Sequence, residues 1–460
     1  MFIFLIFNPL IISADSVIRI SSYSATSNFP SGLRFNIQVE SDEIIEEIAV
    51  RMKFGQQKSG VYEYFEFDSS NTVIAELFWN TNTSGKYVPP GTIVSYSFEV
   101  TTSKGNKINS EETEMIFHDS RFEWKEVSVD LISVAYHGPV GNMATEILDA
   151  IIETTTIMSP IVGDLAREPI RVTIYNNVKE MLPALPPGSE TIRRELITEG
   201  QAFVDFGTLL ILAGGSGALG TAAHEVTHIL VHRAGDSVYR RIPSWLDEGL
   251  AEYANKNPAF GYDMALDLAV QTNTLLPITT MPTMPGTPED IILYYGQSKS
   301  IVEYLIDVYG TDKMQDLLGT MKAGKNVDES FQIIYKKTKE DIENEWRSSI
   351  GASLYEWNEE YESLPTPIPR PEVKIFSLTP QAGGTILEST NIQVITDDSE
   401  ISENQIDNKN DSRNCAISSD SNSTDISSFF VLLFVNILKS RSIPKLTRYK
   451  KSGKYIGKNE

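Results

Sequence analysis

Residues 224–228 read His-Glu-Val-Thr-His, and twenty positions beyond the second histidine Glu248 stands inside Trp245-Leu246-Asp247-Glu248-Gly249. Residues four apart on a helix lie one above the other, so His224 and His228 can reach one metal ion while Glu225 lies over the same cleft. The spacing therefore demands a helix here and a second, carboxylate-bearing segment folded back against it. The first helix is expected from about Gly220 to Gly235, where glycine suits the C-terminal end. A second is announced by Pro243-Ser244-Trp245-Leu246-Asp247, in which Ser244 caps the first turn and Asp247 closes a capping box. Glu248 and Glu252 then fall at i and i+4 on one face, one to bind a metal and the other to buttress a ligand.

The donor types point to zinc. The chain has a single cysteine, Cys415, so neither an intrachain disulfide nor a cysteine-based site can form, and His, Asp and Glu must supply the ligands. Zinc takes four-coordinate nitrogen and oxygen sites, and a catalytic site keeps one position for water. Of the five histidines, His232 continues the four-residue series but sits about 6 Å further along the helix axis, beyond reach of the same ion. It is expected to be a surface or packing residue, and His118 and His137 ordinary polar or partly buried ones. Whichever of Glu248 and Glu252 does not bind the metal is expected to accept the free ring N–H of a zinc histidine, a role for which Glu252 is the candidate if Glu248 is the ligand, with Asp247 as the competitor. Gly215-Ser216-Gly217-Ala218-Leu219-Gly220 matches a dinucleotide fingerprint, but no strand–helix–strand unit follows, and the glycines are read as a tight lead into the helix.

His-Glu-Val-Thr-His with Trp-Leu-Asp-Glu-Gly-Leu-Ala-Glu-Tyr resembles the gluzincin zinc peptidases, and within them the peptidase MA-like proteins. Asp119-Ser120-Arg121-Phe122-Glu123-Trp124, Tyr295-Gly296-Gln297-Ser298 and Tyr304-Leu305-Ile306 extend the likeness over about residues 115–350. The resemblance implies one Zn2+ held by His224, His228 and Glu248, with Glu225 as general base. It also implies an oxyanion donor from a helical lobe, for which Tyr295 is the candidate. The Gly-Ala-Met-Glu-Asn motif with which aminopeptidase relatives hold a substrate N-terminus is absent, which favours an endopeptidase.

The rest of the chain sets the context. At 460 residues it exceeds one hydrophobic core. A net charge of −23 opposes capture of nucleic acid or of an anionic membrane. The apolar run Phe2–Ile12 ending near Ala14 reads as a signal peptide over residues 1–14, and hence as export. Period-two alternation at Leu33-Phe35-Ile37-Val39 and Val94-Tyr96-Phe98-Val100, each after a Pro/Gly turn, predicts a small Ig-like antiparallel β-sandwich over 15–120.

Residues 121–350 are expected to form the thermolysin-like catalytic domain, a mixed α/β lobe followed by a helical lobe, so the fold class is α+β. Helices are predicted near 141–155 and at 262–275, 288–308, 311–322, 326–337 and 338–349, and a strand at 170–175. The run 208–213 is either an exposed edge strand that pairs with an extended peptide or a buried strand supporting the helix. A Pro-rich linker (351–372), a short β-like piece (373–396) and a polar, disordered stretch (397–428) follow. The apolar segment and basic tail (429–460), with eight Lys and Arg against Glu460, offer attachment to a membrane or cell surface, although the apolar stretch 426–438 is shorter than the ~18 residues of a spanning helix. The expected function is that of an exported zinc metallopeptidase acting on a peptide or protein. The rival is a cell-surface binding or adhesion protein with a weak or inactive peptidase-like domain.

Overall fold

A computed structural model of the chain describes residues 17–83, 85–163, 168–187, 199–214, 217–258, 261–281, 285 and 288–356. The expected signal peptide, almost all of the Pro-rich linker, the β-like piece, the polar stretch, the apolar segment with its basic tail, and Cys415 lie outside the described residues. No helix among those described is long and apolar enough to cross a membrane.

The alternation in the N-terminal part builds seven strands: β1 (Ile18–Asn28), β2 (Gly32–Phe54), β3 (Val61–Tyr64), β4 (Ser70–Asn80), β5 (Ile93–Thr102), β6 (Lys107–Asn109) and β7 (Thr113–Ile116). Leu33, Phe35, Ile37 and Val39 all turn inward, as do Val94, Tyr96, Phe98 and Val100. The expected two-layer sandwich takes the form of one continuous antiparallel sheet, because β2 runs 23 residues and belongs to both halves. Its first half pairs with β1 and β4 and its second with β3 and β5, with register shifts between Glu40 and Glu47. The sheet curls about that bend until Phe35 meets Tyr96 and Phe98 at ring-centroid distances of 5.5 and 6.4 Å.

A second sheet follows, of β8 (Lys125–Val129), β9 (Ile132–Tyr136), β10 (Ile170–Tyr175), β11 (Gly200–Phe203) and β12 (Thr208–Leu212), in the order β11-β12-β10-β9-β8. Strands β9, β10 and β12 run parallel, and the crossover from β9 to β10 is made by α1 (Gly141–Val162), longer than its predicted 141–155. Alternation sorts the sheet's side chains between two cores. Val172, Ile174, Leu209 and Ile211 pack with the helices. Tyr175, Phe203, Leu210 and Leu212 join the aromatic core of the N-terminal sheet.

After the short α2 (Val178–Met181) come α3 (Ala218–Gly235), α4 (Ser244–Ala254), α5 (Gly261–Thr272), α6 (Pro288–Tyr309), α7 (Thr311–Lys322), α8 (Val327–Ile334) and α9 (Lys339–Ser349). Asn326 with Glu329 and Thr338 with Asp341 form capping boxes that start α8 and α9. Helix α4 lies between α3 and α6. Its approach to α6 requires Gly249, where a Cβ would stand 2.5 Å from the Ser298 carbonyl oxygen and 2.7 Å from Val302 Cγ2. Ser244 does not cap α4: Pro243 occupies the N-cap position and no side chain caps the turn. The physical reason is that the Asp247 carboxylate turns away from the helix end, toward two histidines.

Candidate metal centre

Helix α3 brings His224, Glu225 and His228 to one place, and α4 brings Asp247, Glu248 and Glu252 to face them, all six side chains buried. His224 Nε2 and His228 Nε2 are 3.1 Å apart. Glu248 Oε2 is 3.5 Å from the first and 3.7 Å from the second. Ligand atoms about 2.0–2.1 Å from a tetrahedral zinc stand roughly 3.3–3.4 Å from one another, so this triangle has the dimensions of one ion's inner face. His224, His228 and Glu248 form the one group among the described residues that brings three such donors together. Both carboxylate oxygens of Glu248 are buried without a hydrogen-bond partner among the described residues, as is Glu225 Oε2. Buried oxygens in this state are costly unless a cation or proton meets them, and a two-nitrogen, one-oxygen donor set suits zinc.

The far ring nitrogens each face a carboxylate from α4. His224 Nδ1 lies 3.0 Å from Glu252 Oε1, and His228 Nδ1 lies 2.8 Å from Asp247 Oδ1. A carboxylate at Nδ1 draws the ring proton there and leaves a lone pair on Nε2. Glu252 and Asp247, expected to compete for one role, thus each serve a different histidine. Asn255 Nδ2 in turn donates to Glu252 Oε2 at 3.2 Å.

Burial lowers the proton affinity of both imidazoles, and the carboxylates reverse it. Glu252 and Glu248 push His224 well above its ordinary value, and Asp247 and Glu248 raise His228. For Glu225 burial is the main effect, raising its carboxyl above the usual range against the pull of the two histidines and of the Ala202 backbone N–H. Burial also raises Glu248. A carboxyl raised in this way is better suited to take and return a proton near neutral pH.

The Tyr295 ring is 6.4 Å from the His224 ring and stacks on Tyr262 at 5.5 Å. It is fully buried, and burial followed by the charge of Glu248 pushes its phenol well above the ordinary value, so it stays a donor. The tyrosine named from sequence therefore lies beside the centre.

Two readings left open by the sequence are decided. Strand β12 is not an edge: it lies between β11 and β10 with all five residues buried, so the supporting-strand alternative holds. On that side of the sheet β11 is the last of the described strands, and its Gly200 abuts Glu225, where a Cβ would come 2.8 Å from Glu225 Cγ. His232 is not at the surface: it is 7% exposed and sits between Asp236 and Asp247. Burial opposes its charge, and the two carboxylates override that, raising it well above its ordinary value. Sequence reasoning named His232 but missed its pairing with two carboxylates, and it missed Asp236 and Gly200 altogether. A signal for His232 and Asp236 was present, because His224, His228, His232 and Asp236 recur every four residues through a helix otherwise rich in apolar side chains.

Residues 132–352 match the family model described as the Peptidase MA superfamily. No curated protein matches the chain. Among solved structures, an M1 zinc metallopeptidase from Deinococcus radiodurans is 13% identical, covering 77% of this chain and 97% of that one with a TM-score of 0.30. A mutant two-domain M1 zinc metallopeptidase bound to L-arginine is also 13% identical, covering 74% and 95% with a TM-score of 0.34. The Br derivative of BhCBM56 is 14% identical, covering 20% and 90% with a TM-score of 0.15.

Proposed function

Since residues 132–352 are a domain of the Peptidase MA superfamily, we propose that the protein is a zinc metallopeptidase that hydrolyses peptide bonds within a polypeptide. One observation carries the reading: two Nε2 atoms and one carboxylate oxygen stand within 3.7 Å of one another, with Glu225 buried beside them. In this reading His224, His228 and Glu248 hold one Zn2+. Bound there, zinc supplies Lewis acidity, polarising the substrate carbonyl and lowering the pKa of water toward ~7.

The chain's own residues do the rest. Glu225 takes the proton of the attacking water and delivers it to the leaving amine, which its raised carboxyl favours. Tyr295 donates to the oxygen that gains charge. Glu252 and Asp247 keep the Nδ1 protons of His224 and His228 in place. Support for internal cleavage is the missing amine-binding motif, and support for export is the apolar Phe2–Ile12 run.

The test is metal analysis with peptide-library cleavage for the wild type and for Glu225→Gln. About one zinc per chain is expected in both, with cleavage lost in the variant alone. Cleavage that survives in Glu225→Gln overturns the mechanism, and absence of zinc from the wild type overturns the metal centre.

A further inference from the structure

The stripe on α3 has four members, and the proposed chemistry uses only His224 and His228. His232 Nε2 is 3.0 Å from Asp247 Oδ2, and its Nδ1 is 2.7 Å from Asp236 Oδ2. A neutral imidazole has one N–H and one bare nitrogen, whereas an ionised carboxylate can only accept. A carboxylate at each nitrogen therefore requires a proton on each, which makes His232 an imidazolium in the protein interior.

The neighbours extend this pattern in both directions. Asp247 presents its other oxygen to His228 Nδ1 at 2.8 Å. Asp236 accepts from the Ile242 backbone N–H at 3.0 Å through its other oxygen, and Arg241 Nη1 stands 3.8 Å from Asp236 Oδ2. Charges thus alternate from Asp247 through His232 and Asp236 to Arg241, linking a ligand histidine to the loop that leads into α4.

We propose that His232 is a positioning residue of the metal centre, a buried imidazolium clamped between Asp236 and Asp247 that fixes the Asp247 carboxylate against His228. The inference rests on His228 being a zinc ligand. Asp247 Oδ2 is hydrogen-bonded to His232 and its Oδ1 stands 2.8 Å from His228 Nδ1, so the two contacts together orient the carboxylate. With Oδ2 held by His232, Oδ1 can meet His228 Nδ1 in one orientation, and the ring then presents Nε2 to the ion. Without His232, Asp247 would be a half-satisfied buried anion free to turn away from the ligand.

The test uses the full-length protein. Zinc dissociation constants are measured by competition with a chromophoric chelator, and the stability of the metal-free protein is measured separately. His232→Gln is compared with Glu343→Gln, which breaks the buried 2.7 Å pair with Arg347 elsewhere in the helical lobe. His232→Gln is expected to weaken zinc binding by roughly 10–100-fold, the usual effect of losing an outer partner of a ligand. Glu343→Gln is expected to lower metal-free stability and leave zinc affinity as it was. Unchanged zinc affinity in His232→Gln would mean that His232 merely braces the fold, and the proposal would fall. Should that variant not fold, Asp236→Asn carries the test: weakened zinc binding supports the clamp and unchanged binding overturns it. A wild type that binds no zinc refutes the ligand assignment itself, an outcome distinct from either.

Discussion

Glu252 Oε1 stands 3.0 Å from His224 Nδ1, and Asp247 Oδ1 stands 2.8 Å from His228 Nδ1, so each histidine of the centre has its own carboxylate from α4. Replacing either acid by its amide removes the acceptor that fixes the ring and its tautomer. Glu252→Gln and Asp247→Asn are each expected to weaken zinc binding about 10–100-fold by chelator competition. The Asp247 variant should lose more, because its carboxylate serves two imidazoles.

Gly249→Ala probes the seam between α4 and α6. The new methyl would press on the Ser298 carbonyl and Val302, and backbone cannot move aside cheaply. A loss of about 1–3 kcal/mol in stability is expected in urea denaturation. Because Glu248 is the preceding residue, zinc affinity should fall in the same variant.

Gly200→Val probes the approach of β11 to Glu225. A side chain there collides with Thr221 and with the Glu225 stem, on the base rather than on the three proposed ligands. Zinc content should therefore stay at about one per chain, while kcat/KM falls roughly 100-fold from a displaced base. A variant with full activity would remove Gly200 from the active-site wall.

His232 also makes a prediction about pH. Its proton affinity is raised in the fold, so it contributes stability that is fully present below about pH 6.5, the ordinary value, and lost as pH rises through the folded one. In metal-free protein, the stability advantage of wild type over His232→Gln should be largest near pH 6 and smaller at pH 9. Urea denaturation at the two pH values measures it, and a difference that grows with pH would contradict a charged His232.

Much of the centre was legible because its information is local. Four-residue spacing placed His224 and His228 on one face, and strand 170–175 and helix 311–322 matched what periodicity predicted. The resemblance to gluzincins singled out Glu248 over Glu252, and the structure brings Glu248 to the two Nε2 atoms and Glu252 to a far nitrogen. What escaped depends on partners distant in sequence. Nothing in the apolar run Thr208–Leu212 says that Gly200–Phe203 will cover its edge. Nor does alternation in Leu33–Val39 reveal that the same strand continues to Phe54 and serves both halves of a curled sheet. Ser244 failed as a cap for a related reason, since tertiary contacts claimed Asp247 before the helix end could use it.

Helix α4 carries three carboxylates within six residues into the interior, and among the described residues their ion pairs all go to histidines. Among the described residues no lysine or arginine pairs with these three carboxylates directly. The helix is therefore seated by counter-charge that can be lost, either protons on imidazoles or a divalent ion. With a metal bound as proposed, its capture and the seating of α4 become one event, which ties the final assembly of the helical lobe to metal supply. In a metal-poor compartment such a chain should be not merely idle but loosened at α4, and thus open to degradation before it can act.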